Sequence, residues 1–330
     1  MGKKREGCAA EWLPMMRFYD GIILMGHHLA DHDAVGCMAG MVALASESHV
    51  PVSIAPGLIA KDMQPVFRRF VADGVPVISE PPENIARCVI IVGDTQQPAF
   101  AAYPEWLPLA GGIAVIDHHI PGTKSFDNMV LSWIDTEASS TSELVACLLF
   151  DAGVSPTFTQ ADLMLAGIML DTRHFTRQVT ENTFQQGANL CAWGAKVEHA
   201  RAYFEVPIES YITRSQVVHD AIFENGMAFS AISIEIENAY VIAAQAANDL
   251  ISLRGINAAF VASMEGGVVS VSIRAREGLS AMRWAAAFGG GGTNAAAGFQ
   301  VSGITPEQAI ECVRMAANAW KVCRDDRDRG

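Results

Sequence analysis

The sequence predicts an α/β protein, in which a doubly wound, mostly parallel sheet is followed by a second, smaller α/β domain. Apolar runs such as Gly21-Ile22-Ile23-Leu24-Met25-Gly26, Val89-Ile90-Ile91-Val92-Gly93 and Gly112-Ile113-Ala114-Val115-Ile116 have the length and continuity of strands buried on both faces. Segments of helical period alternate with them, as parallel strands joined by crossovers require. Beyond about residue 223 the pattern changes to closely spaced strands, which marks a separate domain.

In chain order, residues 1–20 read as a short lead-in. The expected elements are then a strand at 21–26, a helix at 34–46, a strand at 51–55 and a helix at 60–73. Strands near 76–79, 88–93, 112–116 and 129–134 follow. Ser139-Ser140-Thr141-Ser142-Glu143 has the makings of a helix cap ahead of Val145, Leu148 and Leu149. Further helices are expected at 158–170 and at 182–193, the latter ending at Gly194. A polar helix at 207–222 is read as the connection, giving a first domain over 1–206 and a second over 223–330. In the second, strands near 227–235, 239–245, 257–264 and 267–274 alternate with a short helix at 246–253. A helix at 279–287, a glycine run, a strand at 298–302 and a helix at 305–320 complete it.

Half of the 330 residues are hydrophobic, enough for real cores, and no apolar run approaches the roughly 18–20 residues that span a bilayer. The basic start, Met1-Gly2-Lys3-Lys4-Arg5-Glu6-Gly7, leads into a segment holding Glu11, Arg17 and Asp20, which argues against a secretory leader. Cysteines 8, 37, 88, 147, 191, 312 and 323 are scattered without a Cys-x-x-Cys pair, as expected of reduced thiols in a cytoplasmic protein. The formal charge of −13 argues against binding to long nucleic acids, but not against a small anionic substrate.

Acids and imidazoles crowd behind the predicted strands. His27, Asp31 and Asp33 lie on the turn after 21–26, Asp94-Thr95 follows 88–93, and Asp117-His118-His119 follows 112–116. The helix at 158–170 runs into Asp171-Thr172. The carboxyl ends of parallel strands gather at one edge of a sheet, so Asp94, Asp117, His118 and His119 are expected beside His27, Asp31 and Asp33. Six of the nine histidines (27, 28, 32, 118, 119 and 174) fall in or near these clusters. Carboxylates so close repel unless a cation lies among them, and a set of Asp and His without Cys suits manganese, magnesium, iron or zinc. A pair of such ions activates water and clamps an in-line displacement at phosphorus, which points to hydrolysis of a phosphoester or phosphoanhydride.

Gly26-His27…Asp31-His32-Asp33-Ala34, Asp94-Thr95, Asp117-His118-His119, Asp171-Thr172 and the glycine run 289–292 together resemble the DHH–DHHA1 phosphoesterases over residues 20–320. Within that group the chain most resembles the catalytic module of bacterial cyclic-di-AMP phosphodiesterases. The stretches that carry this are 138–144, 166–176, Ser272-Ile273-Arg274-Ala275-Arg276 and Gly289 to Phe299. The resemblance implies two divalent ions, expected to be manganese: the first on His27, Asp31 and Asp94, the second on Asp33, Asp94, His118 and Asp171, with Asp94 bridging. It implies that Asp117 orients a histidine ligand and that His119 faces the substrate phosphate; His28, His32 and His174 receive no role.

The second domain is expected to grip the substrate. Arg274 offers a charged fork to phosphate, with Arg276 on the same face of its strand, and Gly290, Gly291 and Gly292 let backbone N–H groups approach an anion. Thr293 and Asn294 follow, and in the family the run is usually followed by His where this chain has Thr293. Loss of a charge-assisted contact there weakens substrate binding by roughly 1.5–3 kcal/mol. The implied reaction is hydrolysis of a cyclic dinucleotide of the cyclic-di-AMP type to the linear dinucleotide. Hydrolysis of linear dinucleotides or short RNA, and metal-bound nucleotide sensing without turnover, are the competing readings. A small nucleotide is the expected partner, with no membrane; homodimerisation is left open.

Overall fold

The computed structural model describes residues 9–61, 63–120, 122, 125–236 and 238–325; the basic start at 1–7 and Cys8 lie outside the described residues. The chain divides into two units, 1–205 and 206–330. No helix among the described residues is long and apolar enough to cross a membrane.

The first unit runs α1 (Ala9–Arg17), β1 (Gly21–Met25), α2 (His32–Ser46), β2 (Val52–Ala55), α3 (Gln64–Val71), β3 (Cys88–Gly93), β4 (Gly112–Asp117) and β5 (Met129–Ile134). Four helices follow: α4 (Thr141–Ala152), α5 (Phe158–Asp171), α6 (Glu181–Ala192) and α7 (Val197–Ala202). The five strands form an all-parallel sheet in the order β2-β1-β3-β4-β5. The central strands β1, β3 and β4 are buried along their whole length, which is why they read as unbroken apolar runs, whereas the edge strand β5 is mostly exposed.

Side-chain alternation splits those runs between two cores. Ile22, Leu24, Val89, Ile91, Ala114 and Ile116 face the helices, with Trp12, Met38, Leu44, Leu148 and Met164. Ile23, Met25, Ile90, Val92, Ile113 and Val115 face Trp106, Leu107 and Phe126. The second face is covered by short 3₁₀ turns at Pro98–Phe100 and Pro104–Leu109. Each fully buried Leu, Ile or Met contributes about 1.5–3 kcal/mol.

α2 and α5 cross closely because both carry glycine at the crossing. A Cβ at Gly36 would stand 2.7 Å from the carbonyl oxygen of Leu163, and one at Gly167 would stand 2.8 Å from Oδ1 of Asp33. Larger residues there would push the first turn of α2 away from α5.

The expected strand at 76–79 is reduced to an isolated bridge between Val77 and Ile54. Pro76 has no N–H to give and Pro81-Pro82 follow, so the ladder cannot extend.

The second unit runs α8 (Ile208–His219), β6 (Ile222–Glu224), β7 (Met227–Ala231), α9 (Ala239–Ser252), β8 (Ala258–Glu265), β9 (Val268–Ala275), α10 (Ala281–Ala286), β10 (Gly291–Gly292), β11 (Ala296–Ser302) and α11 (Pro306–Asp325). Its six strands lie in the order β10-β11-β9-β8-β7-β6, with only β7 and β8 parallel. One face packs Trp284, Ala309, Ile310 and Val313 from α10 and α11; the other packs Ile242, Ala246 and Leu250 from α9.

The expected strand at 239–245 is instead the first half of α9. Ala239, Ile242, Ala243, Ala246, Ala247 and Leu250 are buried at helical spacing, and the abundant alanine favours helix over strand. The strand expected at 227–235 stops at Ala231, and the helix expected over 207–222 stops at His219, leaving Ile222–Glu224 to pair with β7.

Candidate metal centre

Each proposed ligand sits where an element ends. Asp31 caps α2, its Oδ1 accepting from the backbone N–H groups of Asp33 at 2.9 Å and Ala34 at 3.2 Å. Asp33, in the first turn of α2, is fully buried with its carboxylate on the N-terminus of α4. Thr141 N–H donates to its Oδ2 at 2.7 Å and Ser142 N–H to its Oδ1 at 2.8 Å. A helix N-terminus presents unpaired N–H groups and positive potential to such an anion. Asp94 follows β3 in the left-handed region at φ +63°, and its Oδ1 accepts from the Thr141 hydroxyl at 2.9 Å. Asp117 closes β4, and Asp171 is the last residue of α5.

Two groups result, one containing Asp94 and the other beside it. Nε2 of His27 lies 3.5 Å from Oδ2 of Asp94 and 3.7 Å from Oδ1 of Asp31. Nε2 of His118 lies 3.1 Å from Oδ2 of Asp171, 3.8 Å from Oδ1 of Asp94 and 4.0 Å from Oδ2 of Asp33. In each of the triads His27–Asp31–Asp94 and Asp33–His118–Asp171, the ligand atoms lie within 4.8 Å of one another, a spacing one cation can span; Asp94, His118 and His119 form a third such group.

The charges are strained by their crowding. Burial, then the charge of Asp33, holds the Asp94 carboxyl well above the usual carboxylate range. The same two causes raise Asp171 to about 6, against the pull of His118. Burial presses the His27 imidazole down, but Asp31 and Asp94 outweigh it and push it up to about 11. His118 is likewise pushed up to about 10, burial being outweighed by Asp171, Asp33 and Asp94. Among the described residues the buried Nε2 of His118 and Oδ2 of Asp117 make no hydrogen bond. An imidazole nitrogen without a hydrogen bond, surrounded by carboxylate oxygens that repel one another, fits a divalent cation, and an oxygen and nitrogen donor set without thiolate suits the harder ions.

The remaining expected site residues have partners of their own or are exposed. Asp117 accepts at Oδ1 from the backbone N–H of His118 at 2.9 Å and from Nδ1 of His119 at 2.8 Å, so the ring it holds is that of His119. His119 is 58% exposed. His28 is exposed, while His32 stacks on Phe204 with ring centres 4.4 Å apart and His174 meets the same ring edge-on at 5.0 Å.

In the second unit Arg274 Nε donates to Oδ1 of Asn248 at 2.8 Å. Arg276, read as a weaker phosphate contact, instead donates to the carbonyls of Ile251 at 2.9 Å and Leu253 at 3.2 Å, at the end of α9. The glycine run is needed by the β10–β11 hairpin: a Cβ at Gly290 or Gly292 would stand 2.2 Å or 2.6 Å from a carbonyl oxygen of β11, whereas Gly291 is open. The Thr293 hydroxyl closes the same turn through N–H and C=O of Ala296, both at 3.1 Å, and Oδ1 of Asn294 accepts from Ser280 at 2.6 Å.

Sequence reasoning assigned no role at the centre to Thr141 and Ser142. The signal was present: a Ser-rich helix cap directly after the last strand puts a helix N-terminus at the edge where the acids collect.

The sequence matches the DHH family, N-terminal domain, over residues 21–168 and the DHHA1 domain over residues 227–321. It is 28% identical over 318 residues to the cyclic-di-AMP phosphodiesterase PdeA of Listeria monocytogenes, covering 92% of this chain and 48% of that protein. It is 26% identical over 313 residues to the bifunctional oligoribonuclease and PAP phosphatase NrnA of Thermus thermophilus, covering 91% of this chain and 90% of that protein. The chain thus spans about half the length of the cyclic-di-AMP relatives it matches. In fold it is similar to an exopolyphosphatase-related protein from Bacteroides fragilis, with a TM-score of 0.81, 18% identity and 96% of each chain covered.

Proposed function

This chain belongs to the DHH family, with a DHHA1 domain following, and on that premise we propose that it is a metal-dependent phosphoesterase acting on a small nucleotide. The observation that carries the reading is the pair of ligand triads, one containing Asp94 and the other reaching it through His118 at 3.8 Å. Similarity to the Listeria phosphodiesterase over 92% of the chain supports a cyclic dinucleotide of the cyclic-di-AMP type as substrate, opened to the linear dinucleotide.

In this reading His27, Asp31 and Asp94 hold one divalent ion, and Asp33, Asp94, His118 and Asp171 hold the other, with manganese the proposed ion at both. Ions bound there supply a lowered pKa to an attacking water and positive charge to the phosphoryl oxygens. The protein's part is to keep the ligands in place. The α4 N-terminus fixes the Asp33 carboxylate and Thr141 fixes that of Asp94. Asp117 binds Nδ1 of His119, which fixes that ring, and in the imidazolium form its Nε2 donates to a phosphate or leaving-group oxygen. In the second unit, Arg274 and the N–H groups of Gly291 and Gly292 with Thr293 and Asn294 form the proposed phosphate grip; the Gly290 N–H, expected to join them, donates instead to the Ala285 carbonyl at 2.9 Å. Because the Thr293 hydroxyl is engaged in its own turn, backbone groups carry most of that contact.

Hydrolysis of linear dinucleotides or short RNA is the second reading, favoured by the match to NrnA over 90% of that protein. Purified protein with manganese, given cyclic-di-AMP, linear pApA and a short RNA in parallel, separates the readings. Turnover of the cyclic substrate supports the first. Loss of pApA with cyclic-di-AMP untouched moves the assignment to the second, and binding without turnover of any of the three leaves a sensor.

A further inference from the structure

We infer that Glu143, a buried carboxylate outside both ligand triads, is a positioning residue for the centre: it locks the first turn of α4, and through that turn Asp33 and Asp94, to the start of α6. The inference rests on the metal-centre reading and names the support that keeps its ligands in register.

Glu143 is 1% exposed and lies in the first turn of α4. Burying a carboxylate is costly unless its oxygens are hydrogen-bonded, and here both are. Oε2 accepts from the backbone N–H of Ser139 at 3.1 Å, from the Ser139 hydroxyl at 2.6 Å and from the Thr183 hydroxyl at 2.8 Å. Oε1 accepts from the side-chain amide of Asn182. An acid at the third position of a helix ordinarily turns back to its own cap residue, here Ser140. Glu143 reaches past Ser140 to Ser139 and across to α6, so a local capping group has become a tertiary clamp.

What the clamp holds is the α4 N-terminus that fixes Asp33 and Asp94. Thr141 and Ser142 donate their N–H groups to the Asp33 carboxylate, and the Thr141 hydroxyl donates to Asp94. These donors serve only while the turn stays in place, because a hydrogen bond weakens steeply as its angle falls. On its other side the clamp grips the helix that follows Asp171. Thr183 belongs to the α6 cap, its hydroxyl accepting from the Thr180 N–H at 3.0 Å. Phe175, on the turn between Asp171 and α6, stacks on Phe184 with ring centres 5.8 Å apart. From Asn182 the polar chain runs on to Gln186 at 3.2 Å and Asn189 at 2.9 Å along α6. One carboxylate therefore joins the turn that fixes Asp33 and Asp94 to the helix against which the Asp171 turn packs.

Glutamine has the same shape, but one arm of its amide is a donor. It would face either the Ser139 N–H or the Asn182 amide, and a buried donor set against a donor leaves both unpaired.

Glu143→Gln and Thr183→Val each break the clamp, Thr183→Ser keeps the hydroxyl, and Leu190→Ala empties core volume in α6 without touching these bonds. Circular dichroism checks that each variant folds. In chelator, amide hydrogen exchange at Thr141 and Ser142 is measured relative to Leu148, further along α4. That ratio is expected to rise by about tenfold or more in Glu143→Gln and Thr183→Val, and not to rise in Thr183→Ser or Leu190→Ala. Manganese affinity, read by electron paramagnetic resonance, is expected to fall by about tenfold or more in the first two and to stay within about twofold of wild type in the others. An exchange ratio at the wild-type value in both Glu143→Gln and Thr183→Val overturns the inference. An equal change in Leu190→Ala overturns it too, because the effect is then one of stability alone. If the wild type binds no manganese while the exchange ratio still depends on Glu143, the metal reading fails and the clamp on α4 stands.

Discussion

The hydroxyl of Thr141 donates to Oδ1 of Asp94 at 2.9 Å, tying the first residue of α4 to the carboxylate that belongs to the His27 triad and lies 3.8 Å from Nε2 of His118 in the other. Thr141→Val keeps the shape of the side chain and removes that bond. Because a partner that orients a ligand typically contributes about 10–100-fold to metal affinity or activity, we expect a loss in that range with the fold intact. Manganese titration followed by electron paramagnetic resonance, with circular dichroism as the check on folding, measures both.

Asp94→Asn is expected to act in opposite directions with and without metal. Asparagine tolerates the left-handed backbone at this position, and it removes a carboxyl that burial and Asp33 hold above its usual range. In chelator the variant should therefore melt higher than wild type, by about 2–4 °C for each kcal/mol of relief. Added manganese should raise the wild-type melting temperature and leave the variant's nearly unmoved. A differential scanning fluorimetry series in EDTA and in manganese is sufficient.

Metal binding should release protons. His27, pushed up to about 11, and His118, pushed up to about 10, carry protons at neutral pH, and both must be neutral to ligate a cation. The sign follows directly. As pH falls protons compete more strongly, so apparent affinity falls with it and recovers as pH rises, by about tenfold per pH unit for each proton released. Calorimetry in buffers of different ionisation enthalpy counts the protons; a titration with no buffer dependence contradicts the assignment.

Gly167→Ala tests the close crossing behind the centre. Alanine in a helix interior ordinarily gains about 1 kcal/mol over glycine. Here the added Cβ would stand 2.8 Å from Oδ1 of Asp33 and still closer to the Ser142 hydroxyl, so overpacking by about 1–3 kcal/mol is expected to win. Urea unfolding should show a lower midpoint, and manganese affinity should fall with it because Asp33 is displaced.

The sequence makes the parallel sheet plain because β1, β3 and β4 are buried on both faces, and the proposed ligands are conspicuous because polar residues seldom crowd behind such strands. Strand order and the contact of Asp33 with the α4 N-terminus depend on residues more than a hundred positions apart, which local pattern cannot encode. Residues 239–245 misled because Tyr240, Val241 and Ile242 have strand character, while the alanines after them and the core they pack against decide for helix. Arg276 has the same composition-level signature as a phosphate ligand, and only the fold reveals that it closes the end of α9.

The most direct measurement is anomalous scattering at the manganese edge from crystals of the manganese-loaded protein. The account predicts two peaks about 3.5–4 Å apart, one beside His27 and Asp31, the other beside His118 and Asp171, with Asp94 touching both. A single peak, or two peaks of which Asp94 contacts only one, contradicts it.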